Sequence, residues 1–306
     1  MKSRSYKPIN PPVLRFITIV SIVYFLYYLW WRANYTFNPQ APFFSWLLWA
    51  AEAFGVLSYI LFSWMTKDVS PKYPYKPPSP GMSVDVFVPT YNESTEILEA
   101  TLTGCRRMNY PHRTYVLDDG RREEVRRLAE RFGCGYITRP NNEHAKAGNI
   151  NHALRQTDGE FIVILDADMI PRPDFLERTL GYFEQNQKLA FIQLPQEFYN
   201  LDSIQHAPNA SNWHEQSLFY RVIQPGKNHS NSAFWCGSPS IVRRKALEDV
   251  GGVATETVTE DIHTSVRMHS RGWDSLFLNE VLAYGIAPQT IQAFQLQRLR
   301  WAQGTM

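Results

Sequence analysis

Apolar residues recur along this chain in three distinct patterns, and each predicts a different kind of element. From Val13 to Trp31 every residue is apolar or aromatic except Arg15, Thr18 and Ser21. From Phe43 to Met65 only Glu52 and small hydroxyl residues interrupt the run. Each run approaches or exceeds the roughly 20 residues that an α-helix needs to cross about 30 Å of hydrocarbon. Spans over about 13–31 and 43–65 are therefore expected, with Trp30, Trp31, Trp46, Trp49 and Trp64 as aromatic belts. The first run lacks a small-residue cleavage site and a second follows it, which argues against a signal peptide. A pair of buried helices in a soluble domain is the competing reading. Lys2, Arg4, Lys7 and Arg15 lie at the start of the chain up to the first span, the connecting loop carries only Arg32, and Lys67, Lys72 and Lys76 follow the second span. The positive-inside bias places both ends in the cytoplasm. Glu52, inside a span, must face protein or water rather than lipid.

Beyond the second run, Ser70–Gly81 holds five prolines and reads as a stiff, extended linker. The pattern then shortens to alternating strands and helices. Strands are expected at Ser83–Pro89, Arg113–Leu117, Gly135–Thr138 and Phe161–Leu165. Helices are expected at Glu93–Arg107, Arg122–Phe132 and Ala147–Gln156. FIVIL (Phe161–Leu165) is continuously apolar, as in a strand buried on both faces. The alternation predicts an α/β domain, a mostly parallel sheet with helices on both faces. Ligands of such sheets sit beyond the carboxyl ends of the strands. There the sequence places Thr90–Glu93, Asp118-Asp119-Gly120, and Asp166-Ala167-Asp168. The last segment, Ile291–Met306, reads as an amphipathic helix at a membrane interface.

Composition narrows the function classes. Among 306 residues, 20% are charged and the net charge is +2, so nucleic acid is not an expected partner. A mean hydropathy of −0.33 excludes a chain that is membrane-embedded throughout. Three cysteines (Cys105, Cys134 and Cys236), none in a CxxC, support neither a disulfide scaffold nor a zinc site. The chain has no GxGxxG, P-loop or HExxH motif, and no internal repeat.

The candidate chemistry lies in the strand-end acids. Asp166 and Asp168 after a buried strand offer hard oxygen ligands suited to Mg²⁺ or Mn²⁺, with diphosphate oxygens and water completing the shell. The implied step is departure of a nucleoside diphosphate. Lys146, within HAKAGN (His144–Asn149), supplies a positive point charge nearby or belongs to an ordinary surface loop. Thr259-Glu260-Asp261 opens a helix, so its acids either favour the helix dipole or act as a general base. Trp301 offers a flat face to a sugar ring, and Arg300 a fork for diphosphate.

Taken together, PTYNE (Pro89–Glu93), DDG (Asp118–Gly120), HAKAGN, DAD (Asp166–Asp168), FWCGS (Phe234–Ser238), TED (Thr259–Asp261) and QRLRW (Gln297–Trp301) resemble one family. The chain is similar, from about residue 13 to its end, to processive family 2 glycosyltransferases, most of all bacterial cellulose synthase catalytic subunits. Hyaluronan and chitin synthases are related. The resemblance implies a GT-A domain over 82–290, behind a membrane anchor at 1–69 and the 70–81 linker, with an interface helix at 291–306. It implies inverting transfer of glucose from UDP-glucose to the non-reducing end of a β-1,4-glucan, with Mg²⁺ or Mn²⁺ as cofactor. Tyr91 and Glu93 would hold the uracil, Asp118 and Asp119 would assist at the nucleotide, and Lys146 would contact UDP. Asp166 and Asp168 would engage UDP and metal. Asp261, beside Glu260, would be the catalytic base. Cys236 and Gly237 would shape the acceptor site, and Gln297, Arg300 and Trp301 would hold the acceptor end and diphosphate. The expected setting is the inner (plasma) membrane, multi-pass, with the catalytic domain cytoplasmic and other synthase subunits as partners. Another polymer (hyaluronan, chitin or mannan) or a fragment that only binds is the alternative.

Two departures stand out. Where cellulose synthases often carry a QTP-type motif, this chain has Gln193-Leu194-Pro195-Gln196. The family also continues into channel-forming helices and usually a cyclic-di-GMP-binding PilZ domain, so the resemblance implies that Met306 falls short of a full synthase.

Overall fold

The computed structural model describes residues 11–202 and 214–305. The chain divides between Asp68 and Val69 into two compact units. The first is a helical hairpin, α1 (Pro11–Tyr35) and α2 (Pro42–Met65). Both helices are long and apolar enough to cross a membrane. Their apolar side chains remain largely exposed, Phe16 by 68% and Phe54 by 71%, so this is not the interior of a soluble bundle. Between the helices, Glu52 accepts hydrogen bonds from Tyr28 Oη (3.1 Å) and Arg32 Nε (3.0 Å), and Trp49 Nε1 donates to the Leu29 carbonyl (2.9 Å). Glu52 thus faces the partner helix rather than the exposed apolar surface.

The second unit is built on β1 (Val84–Thr90), α3 (Thr95–Arg106), β2 (Arg113–Asp118), α4 (Glu123–Phe132), β3 (Gly135–Ile137), α5 (Ala145–Leu154) and β4 (Phe161–Ile164). There follow β5 (Ile170–Pro171), α6 (Phe175–Thr179), α7 (Gly181–Gln185), β6 (Leu189–Gln193) and α8 (Gln224–Lys227), the last preceded by a π-helical turn at Phe219–Ile223. The chain continues through β7 (Ser240–Arg243), α9 (Arg244–Asp249), α10 (Glu260–Ser270), β8 (Asp274–Phe277), β9 (Ala283–Tyr284) and α11 (Ile291–Thr305). Seven strands form one sheet in the order β3-β2-β1-β4-β7-β6-β8, and β5 pairs with β9 in a small second sheet. Within the main sheet only β7 runs against its neighbours β4 and β6.

Side-chain alternation sorts the core into two layers. Val84, Val86, Val88, Val116, Phe161 and Val163 face one side, with Leu98 and Leu102 of α3 and Val125 and Leu128 of α4. Phe87, Leu117, Ile162 and Ile164 face the other, with Ala147 and Ile150 of α5, Leu247 of α9 and Met268 of α10. Helices therefore cover both faces, which is why β4 is fully apolar.

The proline-rich segment is held against this unit. Its prolines keep it extended, but Ser79 N donates to Glu184 (2.6 Å), Gln185 Nε2 to the Pro74 carbonyl (3.2 Å), and Tyr110 Oη to the Ser79 carbonyl (2.8 Å). The Arg178 guanidinium lies 3.9 Å from the Tyr75 ring centre. A Cβ on Gly181 would meet the Lys76 carbonyl at 1.9 Å, so glycine is what lets the strap lie down here. The segment is thus a strap on the domain rather than a free spacer. The closing helix also differs from the amphipathic reading. Phe294 and Trp301 are seven residues apart and share one half-buried face, whereas Leu296 (61% exposed) and Leu299 (55%) point to the opposite side.

Candidate active site

Topology gathers the site. β2, β1 and β4 are parallel neighbours, so their carboxyl ends deliver Asp118-Asp119, Thr90–Glu93 and Asp166–Asp168 to one rim. β7 is antiparallel, so the same rim receives the residues that precede it, Cys236-Gly237-Ser238. The Asp166 N–H donates to Ser238 Oγ (2.8 Å), and Thr101 Oγ1 of α3 donates to the Ala167 carbonyl (2.7 Å), which fixes the DAD turn from both sides.

Lys146, in the first turn of α5, forms an ion pair with Asp166. Burial pulls its ammonium pKa down, but the charges of Asp166, Glu260 and Asp261 more than offset this and hold it protonated. Gly237 (φ 75°) lies between two of these groups: a Cβ there would sit 3.2 Å from Asp261 Oδ2 and 3.7 Å from Lys146 Nζ. Lys146 and Asp261 thus converge on Gly237, and Asp166 joins them through its ion pair with Lys146. Burial, with the charge of neighbouring Glu260, pushes the Asp261 carboxyl up to about 6. Burial and the charge of Asp166 push Asp168 likewise to about 6. Two hard carboxylates one residue apart, the second raised by burial and by the charge of the first, fit a divalent cation. Among the described residues no group of three or more His, Cys, Asp or Glu forms a metal cluster.

The first two motifs are engaged internally. Glu93 Oε2 accepts from Thr90 Oγ1 (2.7 Å) and Tyr91 N (2.9 Å). Burial raises its pKa, but these bonds outweigh it and hold the carboxyl low. Asp118 is fully buried and accepts from Gly120 N (2.9 Å), Arg122 N (2.7 Å) and Tyr136 Oη (3.0 Å). Asp119 is buried against Arg139. These acids shape the loops around a cleft of about 720 Å³ lined by Tyr91, Asn92, Glu93, Gly120 and Arg122. Tyr91 is 59% exposed over it.

Opposite lies the FWCGS segment. The Cys236 N–H donates to Gln193 Oε1 (2.7 Å) and Gln224 Nε2 donates to Cys236 Sγ (3.1 Å). Burial and the charge of Asp261 push the Cys236 thiol up, so it stays neutral. α11 reaches this region through its end: Thr259 Oγ1, next to the TED acids, donates to the Gly304 carbonyl (2.7 Å). Along α11, Gln297 is half-buried and Arg300 exposed. Arg298 lies 4.3 Å from the Trp301 ring centre and pairs with Glu215.

Sequence reasoning missed three participants. Tyr220, in the π-helical turn, is buried, and its hydroxyl pKa is raised first by burial and then by Cys236, Asp261 and Asp166. No periodic signal marks that turn. Arg122 donates to Thr90 Oγ1 (2.8 Å) and to the Glu93 carbonyl, joining the loops after β1 and β2. Arg139 follows the carboxyl end of β3, so the same strand-end rule could have found it.

Comparison with known proteins agrees with this geometry. A family model described as glycosyltransferase like family 2 matches residues 80–304. The chain is 38% identical over 305 residues to the UDP-forming cellulose synthase catalytic subunit of Pseudomonas fluorescens (strain SBW25), covering 94% of this chain and 40% of that protein. It is 40% identical over 306 residues to cellulose synthase 1 catalytic subunit of Komagataeibacter xylinus, again with 94% and 40% covered. The chain thus spans about two fifths of the length of these relatives. Among solved structures, a mannosyltransferase from Pyrobaculum calidifontis in complex with GDP-Man and Mn²⁺ superposes with a TM-score of 0.61 at 22% identity, covering 84% of this chain and 71% of that one. S. aureus TarS in complex with UDP-GlcNAc gives a TM-score of 0.51 at 16% identity, covering 72% and 66%. Both show the same fold, a GT-A sheet. The chain belongs to glycosyltransferase family 2.

Proposed function

We propose that this chain is the catalytic part of a membrane-bound, UDP-forming β-glycosyltransferase that extends a 1,4-linked glucan from UDP-glucose. The observation that carries the reading is the meeting of Asp261, Lys146, Gly237 and Asp166 at the rim. In the proposed reaction the acceptor's 4-hydroxyl attacks the anomeric carbon in line, the bond from that carbon to the diphosphate oxygen breaks with its electron pair, and UDP leaves. Asp261 takes the hydroxyl proton, and inversion follows from single displacement. Lys146 sets a fixed positive charge where the leaving diphosphate gains negative charge. Gly237 keeps the space between the two groups open for the reacting atoms.

The cleft between the loops after β1 and β2 accommodates the donor's base, with Tyr91 as its exposed aromatic face. Cys236 and Gly237 shape the acceptor side, with Gln297, Arg300 and Trp301 at the acceptor end and diphosphate. Asp166 and Asp168 would hold Mg²⁺ or Mn²⁺, which when bound neutralises diphosphate charge. α1 and α2 cross the membrane with both ends cytoplasmic, as the distribution of basic residues supports.

The test is a radiolabelled donor panel of UDP-glucose, UDP-GlcNAc and GDP-mannose, with linkage analysis of the product, run with and without Mg²⁺ or Mn²⁺. Incorporation from UDP-glucose into a 1,4-linked product that depends on metal, and that metal response lost in Asp168→Ala, is the expected result. Preference for another donor reassigns the polymer. Metal-independent donor binding unaffected by Asp168→Ala removes the metal role.

A further inference from the structure

The second aspartate of the DDG turn does not act alone. Arg139 meets Asp119 through two parallel bonds, Nε to Oδ1 (2.7 Å) and Nη2 to Oδ2 (2.6 Å), with side chains only 5% and 8% exposed. The same guanidinium donates to two carbonyls of the following loop, from Nη2 to Ala145 (2.7 Å) and from Nη1 to Glu143. A planar fork carrying five donors can satisfy all these acceptors at once; an ammonium cannot.

The loop between β3 and α5 is wrapped around this group. Asn142 Nδ2 donates to the Asp119 carbonyl (3.1 Å), and Arg121 Nε donates to the Arg139 carbonyl (2.9 Å). Two consecutive non-glycine residues, His144 (φ 59°) and Ala145 (φ 42°), are left-handed. Such residues persist only where their surroundings over-determine them. Gly148 leaves the room required, since a Cβ there would meet the Glu143 carbonyl oxygen at 2.1 Å and Arg139 Nη1 at 2.5 Å. Immediately after Ala145 comes Lys146, paired with Asp166 and beside Gly237.

We propose that Arg139 is a positioning residue: clamped to Asp119, it fixes the left-handed entry to α5 and thereby the place of Lys146. Asp119 then serves the donor through the Lys146 loop. The consequence for binding rests on the donor reading given above, but the clamp itself is testable without any donor.

The experiment uses the full chain in lipid nanodiscs and Arg139→Lys, which keeps the charge and loses the fork. Amide exchange is followed at Ala145, whose N–H bonds the Asn142 carbonyl (3.1 Å), and at Gly148, bonded to the His144 carbonyl (3.1 Å). Exchange there should be about tenfold faster in the variant, with α3 and β4 unchanged. The paired substitution Asp119→Asn with Arg139→Gln leaves no unpaired buried charge and should loosen the same two amides, which separates the effect from unfolding. UDP titrations complete the test: Arg139→Lys should weaken binding about tenfold in the parent chain and less than about twofold in a Lys146→Ala background. Unchanged exchange, or equal losses of affinity in both backgrounds, overturns the proposal. If the parent chain binds no UDP, the donor reading falls, while the exchange measurements still decide whether the clamp holds the loop.

Discussion

At the scale of single residues, the site places a carboxylate where charge is disfavoured although its proposed role requires that charge. Burial raises Asp261 to about 6. A proton acceptor must be unprotonated, so turnover at saturating donor should fall about tenfold per pH unit below about 6, as a pH–rate profile would show. The same shift has a cost in stability. The folded chain holds this proton more tightly than the unfolded chain, where an aspartate titrates near 3.9, so stability declines as pH rises from about 4 through about 6. Asp261→Asn should therefore abolish transfer, leave UDP binding within about twofold, and raise the unfolding temperature at pH 7.5 by a few degrees. Calorimetry with donor titration checks all three, and loss of UDP binding would remove the base assignment. Gly120 offers a second residue-scale test. A Cβ there would lie 2.5 Å from the Tyr91 carbonyl oxygen and 2.9 Å from Arg122 Nε. A backbone oxygen does not yield as a side chain can, so Gly120→Ala should push the two loops apart and weaken UDP binding at least about tenfold, measured by titration.

At the scale of elements, legibility followed burial. FIVIL is apolar on both faces because helices cover both, and its end carried the DAD motif to the rim as read. Thr259 heads α10 and places Asp261 in its first turn, so helix start and acid were visible together. What sequence could not show were contacts between distant segments. Asp118 and Asp119 are typed as acids, but nothing local reveals that Tyr136 and Arg139 already occupy their oxygens. The orientation of β7 was likewise hidden, because four apolar and polar residues in a row do not encode direction. The proline-rich strap shows the same limit. Prolines set its extension, while its docking depends on Arg178, Gly181 and Glu184, a hundred residues away. Tyr75→Ala should remove the cation–π contact with Arg178 and, at about 1 kcal/mol, lower the unfolding temperature by about 2–4 °C in a thermal melt. A free spacer would show no change.

At the scale of the whole molecule, two units of opposite surface character share one chain. The globular unit hides its apolar residues in two layers, and the hairpin displays them. The one ionised contact described between α1 and α2, Arg32 with Glu52, has a consequence for biogenesis. An unaccompanied acid near the middle of a helix opposes entry into the bilayer by about 2.5–3.5 kcal/mol, a sizeable share of what the apolar residues of α2 would gain by entering. On the proposed membrane-spanning reading, Glu52 paired with Arg32 would enter as half of a neutral couple, so α2 would depend on α1 for its insertion. Glycosylation mapping of nascent chains should find α2 poorly inserted in Arg32→Ala and restored when Glu52→Gln is added. That outcome would make the hairpin, rather than α2 by itself, the unit of insertion.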